Sequence, residues 1–239
     1  IESNVTLHCD SSTDLKRHIK NNSIDLVITD PPFGDNLNNS ELADFFMVWL
    51  HKGLSQAYPN EFGISESPKA LEAVSNKLRY PGTSTSGLKN CDIMYDRLLT
   101  LAWKEASRIL KPSGLLAFTF HHDNDIAWIG VLESLFKAGF TLEATYPIRS
   151  DSSKGKGQFG SKKIEYDIIH VCRKRLEDFK EIFWATLRKQ ILDSVKSKAY
   201  ILAQHKESGL HLADLEVIIR GEVLEQYSKH YGKVKKNLA

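Results

Sequence analysis

The chain has few cysteines, almost no excess of charge and no long hydrophobic run, and each shortage excludes something. Its three cysteines (Cys9, Cys91 and Cys172) are an odd number without a C-x-x-C spacing. That rules against a disulfide framework or a zinc ribbon and fits buried or incidental thiols in a reducing cytosol. No stretch approaches the roughly 18 apolar residues of a membrane span. The opening IESNVTLHCD has neither the basic nor the apolar region of a secretory signal, so a cytoplasmic protein without membrane contact is expected. The opening also lacks methionine and runs almost at once into a strand-like segment, which suggests a fragment of a longer chain. No internal repeat is visible. The net charge of +2 names no partner by itself, although residues 1–172 carry −3 and residues 173–239 carry +5. A basic tail fits a polyanion or a solvated helical face equally well.

What is present alternates between strand and helix patterns. NVTLHC (4–9) reads as a strand, followed by Asp10 and a helix over 12–20. IDLVIT (24–29) is a continuous apolar run of the kind that suits a central strand buried on both faces. Residues 40–56 read as a helix capped by Ser40, with Phe45, Phe46 and Trp49 at core spacing. Further helices are expected over 67–80, 89–110 and 123–140, and a strand over 115–120. The segments 141–148 and 163–174 read as a closing antiparallel pair around the basic loop 149–162. Two long helices separated near Gly209 complete the pattern. The expected fold is α/β: a Rossmann-like, doubly wound, mostly parallel sheet ending in an antiparallel hairpin. The sheet and its helices would span 1–175, and a C-terminal helical extension 176–239.

The chemistry concentrates where the apolar run stops, at Asp30-Pro31-Pro32-Phe33. In an open α/β sheet, ligands sit at the carboxyl ends of strands. Two prolines end the ladder and leave a rigid turn whose carbonyl oxygens are free to face outward. With the Asp30 carboxylate they form a cluster of acceptors, and Phe33 adds an aromatic plate. That combination suits a planar heterocycle bearing an amine, as in a base drawn out of its stack.

Asp30-Pro31-Pro32-Phe33 resembles the catalytic tetrapeptide of the amino-methyltransferases, and its leading Asp resembles the adenine N6 branch. HCDSSTDL resembles the family's strand end whose acidic residue contacts the cofactor. RILKPSGLLAFTF, KAGF and IIHVCRK resemble the elements that follow the catalytic loop. DPPFGDNLNNSELADFFMVWL, FTFHHDNDIAW and HLADLEVIIRGEVLEQYSKHY are similar to the large adenine-specific DNA methylases of bacterial and archaeal genomic islands, some of them in phage-defence clusters.

The resemblance implies S-adenosylmethionine as cofactor and DNA as partner. Asp30, Pro31, Pro32 and Phe33 would be catalytic, and Asp10, Ser11 and Asp30 would contact the cofactor. The family's glycine-rich turn, of the form Asp-Pro-Phe-x-Gly-x-Gly, has no match here. Cofactor binding is therefore expected to need upstream strands or another subunit. The resemblance also keeps two rivals open: an RNA methyltransferase acting on guanine N2 or adenine N6, and an incomplete nucleic-acid-binding subunit.

The remaining candidates each carry two readings. Asp10 could cap the helix that follows or line a cofactor pocket. Asn36 and Asn38, with Asp35 and Asn39 beside them, could bond the target base or be ordinary loop polarity. Lys154, Lys156, Lys162 and Lys163 could hold phosphates or decorate a solvated hairpin tip. His121 and His122 are adjacent on a strand, point to opposite faces and have no partner cluster at ligand spacing, so no metal site is expected.

Overall fold

The computed structural model describes residues 4–32, 34, 37–120, 125–149, 166–176, 179–203 and 212–236. Strands β1 (Ile24–Thr29), β2 (Leu110–Thr119), β3 (Phe140–Arg149) and β4 (Tyr166–Lys174) form one sheet in the order β1-β2-β4-β3. β1 runs parallel to β2, while β4 is antiparallel to both β2 and β3. The fold is thus mixed α/β with the expected antiparallel hairpin. Among the described residues the sheet is not mostly parallel, because only one of its pairings is.

The core forms where β2 meets two helices, α3 (Asn90–Ile109) and α4 (Asp125–Lys137). Strand alternation turns Leu116 and Phe118 inward, and Phe120 continues the pattern just past the strand; all three are at most 1% exposed. Trp103 of α3 packs on Phe118 with ring centroids 5.2 Å apart, and its indole donates to Ser134 Oγ at 3.1 Å. Phe120 meets Trp128 edge-on at 5.0 Å. Trp103 and Trp128 are buried helix-to-sheet residues, as their spacing predicts. α4 stops at Gly139, whose φ of +87° is the left-handed conformation that favours glycine after a helix.

Helices α5 (Trp184–Ala203) and α6 (Leu212–Lys229) follow, with a short parallel pair, β5 (Ile182–Phe183) and β6 (Val234–Lys235), that the sequence pattern does not reveal. α6 lies directly on β3. A Cβ on Gly221 would stand 1.8 Å from Thr145 Oγ1, so a larger residue there would force the helix off the strand. Ser228 Oγ also accepts the Leu142 amide at 3.0 Å.

Several expectations are overturned. Residues 4–9 form no strand, and Val5 and Leu7 are 69% and 89% exposed, because no described strand lies beside them. Residues 12–20 form turns instead of a helix. Ser11 Oγ accepts the Thr13 amide, and the Leu15 amide is taken at 2.9 Å by the distant Glu105 carboxylate. Such side-chain partners compete directly with a helical ladder. Residues 67–80 hold only a short 3-10 turn, Lys69–Leu71. There Asn76 Oδ1 accepts from the amides of Leu78 and Arg79, again displacing helical bonds.

β1 is an edge strand, not a central one. β2 pairs with one edge and no described strand with the other, and Leu26 and Ile28, which share one face of the strand, are 49% and 74% exposed. Helix α1 (Asn39–Leu54), which precedes the single turn α2 (Pro59–Phe62), has Asn38 rather than Ser40 at its N-cap position, without a side-chain cap bond, and none of its residues is buried. Phe45, Phe46 and Trp49 point outward at 61–67% exposure, contrary to the core role their spacing suggests. Polar pairs along the helix set its orientation. Glu41 pairs with Arg79, and Asp44 with Ser67 and Lys69, so polar bonds fix which side faces the chain.

Candidate functional site

Asp30 follows the last paired residue of β1, at the carboxyl end of the strand, and is exposed. β2 runs parallel beside it with Thr29 opposite Phe118, which brings Thr119 next to Asp30. The Thr119 hydroxyl donates a hydrogen bond to Asp30 Oδ1. Pro31 is buried and Pro32 half-buried, so the turn is embedded in the protein on one side.

The turn's oxygens are not all free, contrary to the sequence-based expectation. Tyr95 of α3 donates its phenol to the Pro32 carbonyl at 2.7 Å. The Ser75 amide donates to the Gly34 carbonyl at 3.0 Å. The Pro31 carbonyl accepts nothing among the described residues. Tyr95 is 4% exposed, and burial pushes its phenol up to about 12, so the hydroxyl stays a donor at any physiological pH.

Asp30-Pro31-Pro32 is the wall between two cavities. The first, of 330 Å³, is lined by Ser12, Thr13 and Thr29 and by the apolar face of α3 from Leu98 to Ile109. The second, of 510 Å³, lies at the start of α1 and is lined by Asn39, Ser40, Ala43, Ser67 and Glu72. Glu72 accepts the Ser40 amide at 3.2 Å and pairs with Arg79 at 2.7 Å. Burial works to raise the Glu72 carboxyl, but the bonds from Ser40 and Arg79 outweigh it and leave the group below its usual range.

Among the predicted site residues, Asp30, Pro31 and Pro32 come together at this wall. Asp10 and Ser11 line neither cavity, although the next residues, Ser12 and Thr13, line the first. Asp10 accepts the Ser11 amide at 2.8 Å and faces His18 at 2.9 Å. The Ser11 bond, aided by His18, lowers its carboxyl from the ordinary range. Its capping role disappears with the helix over 12–20. Asn38 Oδ1 accepts from Asn76 at 2.8 Å, so half of its amide is already engaged. Phe33, Asp35, Asn36, His121, His122 and the four lysines at 154, 156, 162 and 163 lie outside the described residues.

Sequence reasoning missed Thr119, Tyr95 and Ser75. Tyr95 left a signal, because a phenol on an otherwise apolar helical face must find a hydrogen-bond partner when buried. Thr119 is visible only once β1 and β2 are known to be parallel neighbours.

Comparison with family models and with curated proteins returns no match. Among solved structures, the chain is similar to a candidate DNA modification methylase from Thermus thermophilus, with 16% identity and a TM-score of 0.35. The likeness covers 72% of this chain and 53% of that one, so the chain spans about half of that protein's length. A likeness this distant carries no argument about the site. Among the described residues, no helix is long and apolar enough to cross a membrane.

Proposed function

We propose that this chain is the catalytic-motif region of a Rossmann-like, S-adenosylmethionine-dependent methyltransferase acting on the N6 amine of adenine in DNA. The observation that carries this reading is the acceptor turn at the carboxyl end of β1, standing between two cavities. One side would receive the cofactor and the other the flipped base. The first cavity, with hydroxyls at Ser12 and Thr13, a carboxylate at Asp30 and an otherwise largely apolar lining, suits a nucleoside. Those three residues would hold it, with Asp10 and Ser11 supporting the segment from outside the lining.

The bound cofactor supplies an activated methyl group. This chain's residues orient the acceptor: Asp30 and the Pro31 carbonyl accept hydrogen bonds from the amine and direct its lone pair away from the turn. The exposed Asp30 would pass to solvent the one proton that the methylated nitrogen loses. Phe33 stacks on the base. Positioning and fixed dipoles then supply most of the rate, without a covalent intermediate. The test is transfer of labelled methyl groups to duplex DNA, with single-stranded RNA as control. Label in RNA guanine instead would favour the first rival.

The reading needs help from elsewhere for tight cofactor binding. Among the described residues no strand ends in a glycine-rich turn, and the outer edge of β1 pairs with nothing. Calorimetry on this chain alone is therefore expected to give a dissociation constant near 1 mM or weaker, a binding energy of only about −4 kcal/mol. A low-micromolar constant would contradict the expectation.

DNA contact is assigned to the basic loop. If Lys154, Lys156, Lys162 and Lys163 touch phosphates, replacing all four by alanine should reduce the slope of log K against log salt by about 0.9 per lost contact. Binding should weaken on every sequence alike. An unchanged slope would return these lysines to a solvated tip and leave the +5 tail as the better candidate.

A further inference from the structure

We infer that Thr119 and Tyr95 are positioning residues of the acceptor turn, and that together they leave Asp30 Oδ2 and the Pro31 carbonyl as its two working acceptors. The inference rests on the methyltransferase reading and names the atoms that would do its work. The turn offers the two carboxylate oxygens of Asp30 and the carbonyls of Pro31 and Pro32. Thr119 occupies Oδ1, and Tyr95 occupies the Pro32 carbonyl. A primary amine brings two hydrogens, and Oδ2 and the Pro31 carbonyl are the two of these oxygens with no partner among the described residues.

Both hydroxyls come from rigid ground. Thr119 is paired with Ile169 of β4, its neighbour Phe118 is paired with both β1 and β4, and a β-branched side chain has few rotamers to choose from. Tyr95 is fixed in the buried cluster with Leu99 and Trp103. A carboxylate beyond a strand end can rotate freely unless something holds one oxygen. Thr119 holds Oδ1, so Oδ2 is fixed relative to the Pro31 carbonyl. Small misplacements of reacting groups cost large factors in rate, which gives such a clamp a function beyond stability.

The test compares Thr119→Val, Thr119→Ser and Tyr95→Phe with wild type in the complete protein. Each removes or moves one hydroxyl at nearly constant shape. Thr119→Val is expected to lower kcat about tenfold with KM for DNA and cofactor within about twofold, and Thr119→Ser to restore kcat to within about twofold. Tyr95→Phe is expected to lower kcat about threefold to tenfold with the same unchanged KM. Crystal structures give a readout independent of activity: one Asp30 carboxylate orientation in wild type and Thr119→Ser, and a rotated carboxylate in Thr119→Val. Wild-type kcat with an unmoved carboxylate in Thr119→Val overturns the inference, as does a serine variant that fails to rescue. If wild type methylates no nucleic acid, the functional reading fails by itself, and the Asp30 orientation in the valine variant still decides whether Thr119 is a clamp.

Discussion

Asp30→Ala is expected to reduce methyl transfer by about 10²–10³ while the protein stays folded. The substitution removes a carboxylate that would accept an amine hydrogen and stabilise charge developing on the nitrogen. Loss of one preorganised electrostatic group of this kind costs about 10²–10³ in kcat. The carboxyl also anchors the Thr119 bond, so its removal frees the turn as well. Stability should hardly change. Asp30 is exposed and lies beyond the last β1 pairing, so truncation opens no cavity, and surface changes of this type stay within about 0.5 kcal/mol. Urea melts of the variant and wild type should therefore overlay while activities separate. Near-wild-type turnover in the variant would remove Asp30 from the mechanism.

The largest expected effect on stability is a pH dependence traced to His170. This β4 residue is 1% exposed, lies tilted against Phe118 at 4.8 Å and meets Trp128 edge-on at 5.5 Å. Among the described residues neither ring nitrogen has a hydrogen-bond partner. Burial, only partly opposed by the nearby Phe120 main chain, pushes the imidazole from 6.5 down to about 4. In the unfolded chain the ring returns to its ordinary value and binds a proton that the native state refuses. Stability is then complete above pH 6.5 and falls as pH drops toward 4, by about 1.4 kcal/mol per pH unit at most and about 3 kcal/mol in all. His170→Phe keeps a flat apolar ring between Phe118 and Trp128 and removes the proton site. The variant should lose this slope in urea denaturation between about pH 5 and 6.5, above the ordinary carboxylate range. Equal slopes in both proteins would mean the native imidazole takes up the proton.

How much was legible beforehand depended on where backbone hydrogen bonds find their partners. β1, β2 and the β3–β4 pair follow from apolar runs and alternation, and α3, α4, α5 and α6 from helical spacing with glycine stops. The segments 12–20 and 67–80 have helical patterns but form no such helices, because their amides are claimed by side chains, such as Glu105 and Asn76, that no local pattern points to. The apolar run of β1 records that the strand is hydrophobic, not that a neighbour covers it. Likewise the spacing of Phe45, Phe46 and Trp49 defines a face, while Arg79 and Lys69 decide which way that face turns. At the site, the tetrapeptide announces itself through its prolines. The hydroxyls that hold it come from residues about 60 and 90 positions away, and only the β1–β2 pairing and the packing of α3 bring them close.

The most direct test of the account is to identify the methylated nucleoside. The complete protein should be incubated with duplex DNA and labelled S-adenosylmethionine, at a concentration that calorimetry shows to saturate binding, and the digested DNA separated by mass. The account predicts label in N6-methyladenine, lost in Asp30→Ala. Label in a cytosine or guanine product, or no label at saturation, would contradict it.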